Sequence, residues 1–187
     1  MDFDLTGKML ISTPAMGDPR FERSLIYLCA HSTEGAFGLV VNRPVPNLRV
    51  REVLDQLSID AAGLIEDRPV LLGGPVEPAR GFVLHRADIA DAGPSQPLPG
   101  GLAMSASTEV LMAIGEGRGP SAWVLALGYA GWGGGQLEGE LAQNAWLTCD
   151  GQEDLIFVDH PGEEQWHAAL RSIGVDSRTL SAVAGRA

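Results

Sequence analysis

Glycine and proline punctuate this chain so often that its apolar residues fall into short runs separated by turns. The 187 residues hold 24 Gly and 12 Pro, about 19% against an ordinary ~12%, and these are clustered as turns and loops, not spread as low complexity. Short apolar runs bounded by such clusters read as strands. Residues 8–13, 24–30 and 36–42 are the first three, and Ser32-Thr33-Glu34-Gly35 joins the last two as a hairpin. Pro44 and Pro46 predict an end to pairing beyond it. Residues 69–72 and 81–85 read as short strands around Gly73-Gly74-Pro75. Residues 123–127 read as a central strand apolar on both faces, and 145–149 with 154–158 as a second hairpin around Asp150-Gly151.

Where the apolar period lengthens to that of a helix, four helices are expected. Val50, Val53, Leu54 and Leu57 form one stripe behind an Asn47 cap, and Val110, Leu111 and Ile114 another behind Ser107. Residues 136–144 make a short helix. Trp166, Ala169, Leu170 and Ile173 form the stripe of a last helix over 163–173, closed by Gly174. Residues 88–101, rich in proline and glycine, read as a long surface excursion. Hairpins first and isolated helices later do not give the strict alternation of a doubly wound sheet. The expected fold class is therefore α+β (mixed α/β), a sheet with helices packed on it, in one domain spanning 1–187.

Thirteen Lys and Arg against 24 Asp and Glu leave a net charge of −11. Phosphate backbones are bound by neutralising them, so an acidic chain with no basic stripe and no helix-turn-helix is not expected to bind nucleic acid directly. The same charge opposes docking on an anionic membrane. Cys29 and Cys149 lie far apart and make no disulfide framework, so two free thiols are expected. The uncharged run 119–137 has the length of a membrane span, but Pro120 and six glycines make it a buried strand running into a glycine loop. The acidic start, Met1-Asp2-Phe3-Asp4, shows no signal peptide, and a cytoplasmic location is expected.

Three constellations carry candidate chemistry, each with two readings. Residues 128–136 run strand, glycine loop, helix start, an order that presents amides and a helix dipole to an anion. A dinucleotide fingerprint would need glycine where Gln136 stands, and no Lys-Ser or Lys-Thr completes a Walker loop. The other reading is a rigid turn in which at least two glycines among 131, 133, 134 and 135 take positive φ, folding Tyr129 and Trp132 onto the core. Cys29 and His31 stand at i and i+2, which share a face on a regular strand. That makes either an activated thiol or a buried inert cysteine beside a turn-capping histidine. In Asn42-Arg43-Pro44, the proline holds Arg43 extended, as a clamp for carboxylate or phosphate or as a structural ion pair. His31, His85, His160 and His167 show no metal-site spacing, and neither H-E-x-x-H, C-x-x-C nor G-x-S-x-G occurs. No cofactor or metal is expected. Glu138, Glu140, Asp150, Glu153 and Asp154 read as solvated surface.

Several segments match a family when taken in order. Thr6-Gly7-Lys8-Met9-Leu10-Ile11, Pro14-Ala15-Met16, Asp18-Pro19 and Phe21 open the pattern. Cys29, His31, Glu34-Gly35-Ala36 and the run Gly38-Leu39-Val40-Val41-Asn42-Arg43-Pro44 form its hairpin. Gly73-Gly74-Pro75-Val76 with Gly81-Phe82-Val83-Leu84-His85, then Gly128-Tyr129-Ala130-Gly131-Trp132-Gly133 with Gly135-Gln136-Leu137-Glu138, Glu140, Asn144 and Trp146, continue it to Trp166 and Gly174. Nearly end to end, the chain resembles the YqgE/AlgH family. The resemblance implies a bent, largely antiparallel sheet with barrel-like closure flanked by helices. It implies a bacterial, largely uncharacterised family, one branch of which is named as a regulator of alginate synthesis described as transcriptional. It transfers no catalytic residue, cofactor or substrate.

These readings lead to a non-enzymatic, cytoplasmic regulatory or binding protein, acting on transcription indirectly through protein or small-ligand contacts. Its surface would combine the hairpin end (His31, Asn42, Arg43) with His85, Tyr129, Trp132, Gln136 and Glu138. The alternative is an enzyme of unknown class with a pocket near the 128–136 loop and the Cys29/His31 strand end, using Cys29, His31, His85 or Glu138. Convergence of His31, Arg43 and the 128–136 backbone on one concavity is the observation that would favour a ligand or substrate site.

Overall fold

The structure is a computed structural model that describes residues 3–61 and 65–180; Met1, Asp2 and the rest of the expected 1–187 domain lie outside the described residues. The apolar runs become ten strands: β1 (Lys8–Ser12), β2 (Leu25–Ser32), β3 (Gly35–Val40), β4 (Pro44–Arg49), β5 (Pro69–Leu72), β6 (Val76–Arg86), β7 (Gln96–Leu98), β8 (Leu102–Ser105), β9 (Trp123–Gly133) and β10 (Trp146–Asp150). Five helices accompany them: α1 (Val50–Gln56), α2 (Thr108–Gly115), α3 (Gln136–Ala142), α4 (Glu153–Ile156) and α5 (Glu163–Ser172). The strands form one sheet in the order β10-β1-β2-β3-β9-β6-β8-β7, with β5 joining β4 to β9. The β5–β9 pair is parallel and the other ladders are antiparallel.

The sheet curls into a half-barrel, and its two faces are covered differently. The inner face draws apolar side chains from every strand but β4, Met9, Tyr27, Leu39, Leu84 and Cys149 among them, and α4 and α5 seal it with Ile156, Trp166 and Leu170. The outer face is covered twice. Leu137 of α3 packs with Leu10, Ile26, Leu28 and Trp146, while Leu54 of α1 and Val110 and Ile114 of α2 pack with Val70, Val83 and Leu125. Closure is made by a side chain: Nε2 of Gln96, on edge strand β7, donates to the Cys29 carbonyl on β2 at 2.9 Å.

The structure corrects several expectations. Residues 44–49 do pair, with β5, through Pro44↔Leu71 and Arg49↔Pro69 and a register shift between them. An edge strand tolerates prolines because the missing N–H groups have no ladder to serve. Asn47 takes φ 58 within β4, and Arg49, not Asn47, precedes α1. The second hairpin does not form. β10 pairs with β1 instead, and 153–156 coil into α4, which turns adjacent Leu155 and Ile156 into the same core. The 88–101 excursion contains β7, and Ile173 falls off the buried end of its stripe, 37% exposed.

The uncharged run is indeed a buried strand, but it continues through the glycines as β9. Leu125 faces α1 and α2, Ala126 and Tyr129 face the interior, and Trp132 faces α3. The alternation therefore resets at Gly128, whose φ is +74; a Cβ there would lie 2.4 Å from the Gly74 carbonyl oxygen. Opposite it, residues 77–80 bow out between the pairs Val76↔Tyr129 and Gly81↔Leu127. Of glycines 131, 133, 134 and 135, Gly135 alone takes positive φ. The expected two do not, because residues 131–133 stay extended in β9.

Candidate functional site

The hairpin residues separate. His31 pairs with Ala36 beside the turn, whereas Asn42 follows the far end of β3, six residues or about 20 Å of strand away. Cys29 and His31 separate too, because β2 carries a bulge between Leu28 and Ala30 that reverses the alternation. Cys29 enters the inner core, and burial pushes its thiol up to about 12. His31 meets Leu5 and α3 on the outer side: its Nδ1 accepts from the Leu5 amide at 3.1 Å, and its Nε2 lies 2.7 Å from Glu138 Oε1. An Nδ1 that accepts from an amide carries no proton, so Nε2–H donates to the carboxylate. Glu138 is held below the usual carboxylate range, first by its own backbone amide and then by His31. Cys149 is likewise buried and unbonded.

The glycine segment is also spent on structure. Tyr129 joins Phe37 and Phe82 inside the half-barrel, ring centroids 4.7 and 5.9 Å away. Trp132 and Trp146 both donate their indole N–H to Glu140 Oε2, at 2.9 and 2.7 Å. Gln136 accepts from the Gly133 amide at 3.1 Å and donates to Glu140 at 3.2 Å. Glu140 is thus an outer-face anchor, not mere solvated surface. His85 is buried far along β6, between Ser105 Oγ at 2.9 Å and the Arg86 carbonyl at 2.7 Å. Among the described residues, no group of three or more His, Cys, Asp or Glu could hold a metal ion, and no helix is long and apolar enough to cross a membrane.

Asn42 and Arg43 both bind backbone of another segment, the loop between β1 and β2. Two 3-10 turns follow β1, at Pro14–Met16 and Pro19–Phe21, each with proline first and a capping side chain before it. Thr13 Oγ1 accepts from the Ala15 amide at 3.2 Å, and Asp18 Oδ1 from the Arg20 amide at 2.9 Å. The loop then passes through Arg23 at φ 49, a strained conformation for a residue with a Cβ. Its surroundings hold it there. Asn42 Nδ2 donates to the Arg23 carbonyl at 2.8 Å and its Oδ1 accepts from Leu25 at 2.9 Å. Arg43 donates to the carbonyls of Arg20 and Glu22. Arg43 therefore commits its guanidinium to backbone carbonyls, and among the described residues no ion pair engages it.

Between this loop and α5 lies a cavity of about 390 Å³, within the range of small-molecule sites. Ser12, Thr13, Asp18, Glu22, Arg23 and Trp166 line it, with Ser177 and Leu180 beyond α5. The Trp166 indole N–H donates to the Ser12 carbonyl at 2.9 Å. The Arg23 guanidinium lies 5.5 Å from the Trp166 ring centre and pairs with Glu163. Hydrogen bonds from Arg20 hold the Asp18 carboxyl below its usual range. The cavity thus presents an aromatic wall, one cation and two carboxylates. Pro14-Ala15-Met16, Asp18-Pro19 and Phe21 stand out in the sequence as part of the family pattern, but that their loop faces α5 does not. Gln165 was missed as well; its Nε2 donates to the carbonyls of Val41 and Leu155 inside the core.

Comparison with known proteins extends the description. The AlgH-like family profile matches residues 9–178. A UPF0301 protein of Cereibacter sphaeroides is 49% identical over 185 residues, covering 98% of this chain and all of the relative. One from Ruegeria pomeroyi is also 49% identical, with the same coverage. The solution structure of the AlgH protein from Pseudomonas aeruginosa superposes with TM-score 0.77 at 44% identity, covering 99% of this chain and 97% of that one. The crystal structure of a Corynebacterium diphtheriae protein shares the fold at TM-score 0.68 and 22% identity, over 89% of this chain and 86% of that one. With a family profile spanning most of its length and relatives near half identity along all of it, the chain belongs to the AlgH-like family.

Proposed function

We propose that this protein is a non-enzymatic, cytoplasmic binding domain that regulates by holding a small ligand or a protein segment in the cavity between the 13–23 loop and α5. One observation carries the reading: Asn42 and Arg43 commit their polar atoms to fixing that loop, left-handed Arg23 included, although neither lines the cavity. Strain held by surrounding structure is a mark of binding sites, and a pre-ordered loop lowers the cost of binding. Any effect on transcription then runs through that contact, since a charge of −11 opposes direct DNA binding.

The test is an amide NMR titration with a panel of metabolite-sized carboxylates, amines and short peptides. Saturable shifts are expected on residues 13–23, 166 and 177–180, and Ser177→Trp should suppress them by filling the cavity. Chemical conversion of a panel member would replace this reading with the enzymatic one, and saturable shifts confined to other regions would end it. In parallel, anisotropy with labelled duplex DNA should show no specific affinity near ~10⁻⁸ M, the level of dedicated DNA binders.

A further inference from the structure

A second concavity lies on the opposite covering layer. Where residues 77–80 bow away from β9, the ladder leaves a gap, and the residues that line it there, Ala79 and Gly81, are too small to fill it. A Cβ built on Gly81 would meet nothing closer than Leu125 Cδ1 at 3.7 Å and Leu127 Cδ2 at 3.8 Å. The result is a cavity of about 360 Å³ over β6 and β9, with Val83 and Leu125 as floor and Val53 of α1 and Leu111 of α2 as walls. None of its fourteen lining residues is charged, in a chain with 24 Asp and Glu. At roughly 30 Å³ per non-hydrogen atom, a figure borrowed from liquid water, it has room for about a dozen.

One end of this apolar space is polar in a specific way. Ser107 lines it immediately before α2. Its hydroxyl makes no capping bond and its oxygen is buried without any hydrogen-bond partner. A buried hydroxyl left unpaired is costly, and the first amides of a helix have no intrahelical acceptor. Hydroxyl and amides together are donors to a carbonyl oxygen. Glu109 in the first turn of α2 disfavours a strongly anionic group at the same point. Exposed Leu57 and Met112 continue the apolar surface on the other side of Thr108.

We propose that this cavity binds a medium-length acyl chain, of about eight carbons, with its carbonyl oxygen hydrogen-bonded by Ser107 and the α2 N-terminus. The chain lies on Val83 and Leu125 between the two helices. The site shares no residue with the cavity under the 13–23 loop, so either assignment can fail without the other.

Leu/Val methyl NMR titrations with octanoate, methyl octanoate and octylamine test it. Both carbonyl compounds should shift the Val83, Leu111 and Leu125 methyl groups saturably, with octylamine at least tenfold weaker. The ratio of free acid to ester affinity then says which form the site takes. Ser107→Ala should weaken both carbonyl ligands about tenfold and leave octylamine unchanged. Gly81→Leu should abolish binding by occupying the space; Ala79→Phe serves the same purpose should Gly81→Leu fail to fold. Equal affinity for all three head groups, an unaffected Ser107→Ala protein, undiminished binding in the filled variants, or no saturation up to the solubility limit would each overturn the assignment.

Discussion

The two concavities of this protein are made by opposite means. The cavity beside α5 is framed by polar side chains, Thr13, Asp18, Asn42 and Arg43, that satisfy the backbone of a loop and hold it in a strained path. The one under α1 and α2 is framed by absence: a ladder interrupted at 77–80, small residues at the gap and a hydroxyl with no partner. A frame of hydrogen bonds loosens when one member is removed, most of all at the buried bond between Asn42 and the Leu25 amide, which would leave a buried donor unpaired. A gap lined by apolar groups gains from being filled. The first region should therefore lose stability with each deletion of a framing group, and the second should gain or hold.

The largest expected effect falls where the polar frame meets the core. Trp166→Ala removes a nearly buried ring and its bond to Ser12 and should cost about 3–5 kcal/mol in urea unfolding; a loss under ~1 kcal/mol would mean that α5 does not carry the cavity wall. Raising the pH tests the interior shared by both regions. Burial pushes the Cys29 thiol from an ordinary 9.0 up to about 12, and burial first, Cys29 second, pushes the Tyr27 phenol from 10.0 up to about 12. The unfolded chain ionises both groups earlier, so their contribution is full below pH ~9 and is lost as pH rises toward 12, at about 1.4 kcal/mol per unit of difference. Both regions should unfold together in that window, and a stability profile flat through it would contradict the burial.

Smaller effects separate the regions. Gly128→Ala puts a Cβ into a left-handed residue 2.4 Å from a carbonyl oxygen and should cost about 2–3 kcal/mol, with methyl shifts around Leu125 and Leu127 but not at Trp166. Arg43→Ala should cost about 1–2 kcal/mol and speed hydrogen exchange across 18–24. Arg43→Lys should recover little, since an ammonium cannot span two carbonyls as a guanidinium does. Unchanged exchange in Arg43→Ala would mean the loop holds itself. The smallest effect is the most diagnostic of the second region. A serine at a helix N-cap ordinarily costs about 0.5–2 kcal/mol to remove, but Ser107→Ala deletes an unsatisfied hydroxyl and should change stability by less than ~0.5 kcal/mol or raise it. A clear loss on thermal unfolding would show that Ser107 caps α2 after all.

Local signals carried far into the fold. The turn at 32–35 announces the β2–β3 hairpin, and the stripe with Trp166 announces α5. Sequence reasoning failed where a strand changes face. Cys29 and His31 read as neighbours under strict alternation, and the bulge at 28–30 parts them. Residues 128–136 read as a loop, and the reset at Gly128 keeps them in the sheet as far as Gly133. Asp154 to Val158 looked like a strand because a short apolar run has no period long enough to distinguish strand from helix.

By itself, then, the sequence determined most of the extended and helical segments and most of the side chains that are buried. Those properties depend on residues a few positions apart, whose geometry the backbone repeats dictate. Only the tertiary structure decided which ends meet: that Arg43 reaches the carbonyls of 20 and 22, that Gln96 closes the half-barrel on Cys29, and that Glu140 gathers two indoles. Each of these joins a polar atom to a partner brought near by curl and bulge, and a one-residue shift in register would have pointed the same side chain to the other face.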